Sequence, residues 1–124
     1  MIYKGFRMRD GTCRITRDGK KLDLHLELRN HSPTGFEWGY GGSGPAQTAL
    51  AILYDFLRDP RHVCDPETCG EHGRNCVDFE RTFHLYQKFK WQVIAHLPHG
   101  GGWTISEKFL RAWVRLQEAE DTAA

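Results

Sequence analysis

The stretch Lys21–Leu28, KLDLHLEL, alternates apolar and polar residues without a break. Leu22, Leu24, Leu26 and Leu28 fall on one side, and Lys21, Asp23, His25 and Glu27 on the other. A period of two marks a strand with one face on a core. It predicts the third strand of an antiparallel meander, with His25 a solvated surface residue. Two runs precede it, Ile2–Arg9 and Thr12–Arg17, closed by Asp10-Gly11 and Asp18-Gly19. Asp-Gly between such runs signals a hairpin, because a type I′ turn needs positive φ at both central residues.

The period then changes. From Pro45 to Arg58 the chain reads PAQTALAILYDFLR. Ala46, Ala49, Leu50, Leu53 and Leu57 form one helical stripe, which Ile52 and Phe56 widen. A helix apolar on most sides belongs in the centre of a domain. Pro45 suits the first helical position, where its missing N–H costs nothing, and Asp59-Pro60 ends the run. A second helix is expected over Phe83–Leu97 on the spacing of Leu85, Phe89, Val93 and Leu97, stopped by Pro98 and Gly100–Gly102. WTISE, Trp103–Glu107, reads as a short extended piece with a capping box from Thr104 to Glu107. A last helix follows, with Phe109, Leu110, Trp113, Val114 and Leu116 inward, and residues 119–124 fraying. The expected class is α+β: an N-terminal antiparallel β-meander packed against about three helices, in a single domain over residues 1–124. An irregular Cys-rich loop occupies about residues 59–80.

Composition narrows the class further. The 124 residues are 40% hydrophobic and 27% charged, as in an ordinary globular domain. Lysine and arginine number 17 against 16 acids, so nucleic acid is not the favoured partner. No apolar run has the length of a membrane helix, and the opening MIYKGFRMRDG has no apolar secretion core. A cytoplasmic location is expected.

That expectation gives the cysteines a meaning. CDPETCGEHGRNC places Cys64, Cys69, His72 and Cys76 in thirteen residues, with His62 as a spare. In a reducing compartment such a cluster suits a structural zinc, and four protein ligands leave no open position for catalysis. Free thiols or a disulfide remain alternatives, since the spacing is not that of a standard ribbon or knuckle.

The segment Phe36–Gln47, FEWGYGGSGPAQ, puts four glycines in the six positions 39–44. Glycine permits the positive φ and close approach that a sharp turn into a buried helix requires. We read the loop first as that junction, with Phe36, Trp38 and Tyr40 packing in the core. The second reading is an anion pocket for a phosphate or nucleotide, built from Gly41, Gly42, Ser43 and Gly44 and the first-turn N–H groups of Ala46 and Gln47. Residues 39–44 match G-x-G-x-x-G, but no parallel strand with an acid follows, and no lysine makes a P-loop. HGGGW, His99–Trp103, resembles an esterase oxyanion loop. It lies after Ser43 rather than before it, and Pro45 stands where the nucleophile motif needs glycine. Glu37 and His31 are the nearest candidate acid or base, and a lone loop acid is usually solvated. No catalytic residue is assigned.

The blocks FEWGYGGSGPAQTALA, FKWQVIAHLP and WTISE resemble a small uncharacterised family of bacteria, archaea, phages and plasmids, known as a domain of unknown function. The cysteine-rich segment 62–76 departs from that pattern. The resemblance implies no activity. Occurrence on mobile elements implies an accessory that acts on a host factor, including a host defence factor. The expected function is therefore a non-enzymatic interaction protein with a protein partner, and the alternative is a small-ligand protein.

Overall fold

The computed structural model describes residues 1–58 and 77–123. The elements run β1 (Ile2–Arg7), β2 (Cys13–Arg17), β3 (Lys20–Lys21), α1 (Ser43–Leu57), α2 (Val77–Gln92), β4 (Trp103–Ser106) and α3 (Glu107–Ala123). A 3-10 turn, Ile94–His96, links α2 to β4. The strands form one antiparallel sheet in the order β3-β2-β1-β4, so the class is α+β.

Turn chemistry sets the register. Asp18 and Gly19, at φ 50° and 83°, make the two-residue turn between the paired Arg17 and Lys20. Along β1, Tyr3 and Gly5 face inward while Ile2, Lys4 and Phe6 face out. Gly5 pairs with Trp103 on β4, and a Cβ there would lie 2.2 Å from the indole. The missing side chain makes room for the ring over the strand.

Helix α1 is the centre of the molecule. Every residue from Gly44 to Leu53 is buried, as the apolar pattern requires. Asp55 is buried too, and three groups answer its charge. Tyr3 Oη donates to Oδ2 at 2.5 Å, Arg17 Nε lies 3.4 Å away, and Arg58 Nη2 lies 3.9 Å from Oδ1. A buried carboxylate without such partners would be strongly destabilising. Leu85, Tyr86 and Phe89 of α2 and Leu110, Trp113 and Val114 of α3 complete the core, with Phe89 edge-on to Trp113 at 4.9 Å.

Three expectations are corrected. The ladder stops at Lys21, apart from a last bond from Leu22 N–H to Ile15 C=O, so 22–28 is not a strand. His25 adopts φ 56°, a left-handed conformation that breaks the two-residue alternation. It is therefore 6% exposed and packs edge-on to Tyr54, while Leu24 and Leu26 are half-buried. Gln47 ties this coil and the residues after it to α1. Its Nε2 donates to Leu24 C=O, and its Oε1 accepts the N–H groups of His31 and Ser32.

The second helix starts at Val77, six positions before the expected Phe83, and gives way to the 3-10 turn rather than running on to Leu97. The cap of α3 is Ser106, whose Oγ accepts Phe109 N–H at 3.1 Å; Thr104 lies within β4. Leu110, Trp113, Val114 and Gln117 face in, and Phe109 and Leu116 face solvent. Helical backbone continues to Ala123.

Candidate functional site

The glycine-rich segment joins the 22–35 stretch to α1, and its geometry comes from fixed anchors. Thr48 Oγ1 accepts Glu37 N–H and donates to Glu37 C=O. Gly39 N–H donates to Ile94 C=O, and Trp38 Nε1 donates to Gly101 C=O. The loop is thus stitched to α1 on one side and to the 94–101 connector on the other. Gly39 has φ 89°, and a Cβ there would lie 2.6 Å from His99 Cα, so turn and close approach both demand glycine.

Glu37 is not a solvated acid. Arg7 holds it through both terminal guanidinium nitrogens, and Trp38 N–H donates to its Oε1 at 3.1 Å. The Arg7 hydrogen bond is the main reason its carboxyl stays below the usual carboxylate range. Arg7 also donates to the carbonyls of His99 and Gly11. Beside them, burial pushes the Cys13 thiol up to about 11, with the Glu37 charge adding to the rise. That thiol is protonated at neutral pH and is a poor nucleophile.

Phe36 and Trp38 pack in the core as expected, and Tyr40 does not: it is 45% exposed. Its ring stands edge-on to His99 at 5.8 Å. On the same loop, Gly41 meets Trp91 of α2 so closely that a Cβ would sit 2.2 Å from the indole. That indole is nevertheless 57% exposed, and the ammonium of the buried Lys90 lies 4.3 Å from its ring centroid. The loop and the end of α2 therefore expose two large aromatic rings, Trp91 against Gly41 and Tyr40 beside His99.

Of the residues proposed for an anion pocket, Gly41, Gly42 and Ser43 reach the surface. Gly44, Ala46 and Gln47 are buried, and both ends of the Gln47 amide are engaged internally. The Ala46 N–H donates to Gly42 C=O. Gly44 faces the Glu37 side chain, where a Cβ would lie 2.6 Å from Glu37 Cβ. His31 pairs through Nε2 with Tyr86 Oη at 2.7 Å. Its imidazole is held below the ordinary value by burial first, then by Arg29 and Lys90. Pattern reading assigned no site role to Lys90 or Trp91, which lie in the FKWQVIAHLP block and close the C-terminal turn of α2. The glycine at 41 was the only signal that a bulky group approaches. Cys64, Cys69, His72 and Cys76 lie outside the described residues.

These residues define a small α+β domain in which a pinned glycine loop leads into a buried helix and displays exposed aromatic rings. The chain belongs to the family of unknown function DUF6166, which it matches over residues 3–66, more than half its length. No curated protein and no solved structure matches it. No helix among the described residues is long and apolar enough to cross a membrane.

Proposed function

We propose that this protein is a non-enzymatic interaction module that binds a protein partner through the face formed by Tyr40, Gly41, Trp91 and His99. The observation behind this reading is the seating of Trp91 on Gly41: a large ring held in one place by backbone contact and still more than half exposed. Exposed tryptophan and tyrosine are the side chains that most often anchor protein interfaces. A ring already fixed loses little freedom on binding. If the chain is carried by mobile elements, as the resemblance of its glycine block implies, a host factor is the natural partner.

The test is affinity capture from host cells with wild type and Trp91→Ala, both verified as folded by circular dichroism. A specific partner retained by wild type and lost by Trp91→Ala supports the reading. A partner held equally by both variants refutes it.

The second reading, a phosphate or nucleotide held at the glycine loop, draws on the exposed Ser43 beside the start of α1. Calorimetry with inorganic phosphate and with nucleotides separates the two, and binding lost on Gly42→Ala favours the pocket. From sequence alone we also propose a structural zinc at Cys64, Cys69, His72 and Cys76.

A further inference from the structure

We propose that Asp23, His25 and Glu27 form a second metal site, for a divalent transition ion of the zinc class. The three belong to one five-residue stretch, D-x-H-x-E. In a regular strand such alternate residues would stand about 6.5–7 Å apart along one face. The left-handed φ of 56° at His25 folds the stretch instead, and one ligand atom from each residue comes within 4.8 Å of the others.

The spacings suit coordination. His25 Nδ1 lies 3.2 Å from Glu27 Oε1 and 3.5 Å from Asp23 Oδ2. A tetrahedral ion with bonds of about 2.0–2.2 Å sets its ligands about 3.3–3.6 Å from one another. At 3.2 Å the His25–Glu27 pair is within hydrogen-bond range as well, and an ion would take the place of that bond. A single N–H on Nδ1 cannot point at both carboxylates, whereas an ion on the Nδ1 lone pair serves both.

The surroundings favour the same chemistry. The imidazole is 6% exposed and is braced by Tyr54, so the nitrogen ligand is fixed before any ion arrives. Asp23 and Glu27 are open to solvent, and among the described residues neither pairs with a lysine or arginine. Asp23 and His25 line a cavity of about 360 Å³, which gives an ion access and leaves a coordination position for water. The other walls of that cavity include Arg17 and Arg58, which share the carboxylate of Asp55, together with Asp18, Lys20 and Lys21. One imidazole and two carboxylates suit zinc, cobalt or nickel better than calcium or magnesium, which favour all-oxygen shells.

Calorimetric titration with Zn²⁺ and Mg²⁺ tests the site, and the cysteine cluster must be kept separate. In a Cys64→Ser/Cys69→Ser/Cys76→Ser chain, Zn²⁺ should still bind and Mg²⁺ should not. Adding Asp23→Asn and Glu27→Gln, both exposed and nearly isosteric changes, should weaken Zn²⁺ by at least about tenfold. The same pair in the unaltered chain should lower zinc stoichiometry by a single equivalent, which keeps the test valid where the cysteine variant does not fold. Unchanged Zn²⁺ binding after the Asp23→Asn/Glu27→Gln change overturns the proposal.

Discussion

The hydroxyl of Tyr3 on β1 donates to the carboxylate of Asp55 on α1, joining the inner face of the sheet to the central helix across 52 positions of sequence. Both groups are buried. Removing the donor leaves a buried carboxylate with one bond fewer, so Tyr3→Phe should cost about 1–3 kcal/mol of unfolding free energy. Urea unfolding measures it. A loss below about 0.5 kcal/mol, the range of neutral surface changes, would show that Arg17 and Arg58 suffice without the tyrosine.

Two loop glycines should respond differently to alanine. At Gly39 the new Cβ meets the His99 backbone and the φ is left-handed, so Gly39→Ala should lose at least about 1–2 kcal/mol. At Gly41 the Cβ meets only side-chain atoms of Trp91, so the added methyl displaces the ring from its seat and leaves the backbone in place. Gly41→Ala should keep nearly wild-type thermal stability and lose partner binding. Binding retained by Gly41→Ala would show that the Trp91 position is not what the partner reads.

Acid should weaken the fold in two stages. The folded His31 imidazole has a lowered pKa, chiefly from burial. Its unfolded form takes up a proton first, so stability is full above about pH 6.5 and declines as pH falls toward the folded value. Glu37 is also lowered, chiefly by the Arg7 hydrogen bond. Its contribution is present above the unfolded value of about 4.3 and is lost as pH falls through the folded one. Melting temperature against pH should show both declines. Glu37→Gln should flatten only the more acidic one; a profile identical to wild type would refute the assignment.

Protein purified without added zinc should hold about one equivalent at the cysteine cluster, since four-ligand thiolate sites bind tightly. Elemental analysis before and after Cys64→Ser/Cys69→Ser checks this. Wild type free of zinc removes the site.

The hydrophobic pattern made the elements legible wherever local periodicity and core burial agree. Helix α1, the two leading strands and the extended WTIS piece all follow that rule. It misled at His25, where one left-handed residue breaks a two-residue alternation that no composition rule can flag. It also misled in α3, where Phe109 and Leu116 are apolar yet flank the buried stripe of Leu110, Trp113, Val114 and Gln117 and stay exposed. The anchors of the candidate face were hidden for a different reason. Arg7–Glu37 and Gly41–Trp91 join residues far apart in sequence, and only tertiary packing brings them together.

Gln47 carries one more implication. With both ends of its amide tied to the coil between β3 and α1, that coil is moored to the most enclosed helix in the chain. A protease needs a segment that can pull free and extend into its cleft. Here release must break three Gln47 hydrogen bonds and expose Leu22, His25 and Leu28, so cleavage within residues 22–32 should be slower than in an untethered coil.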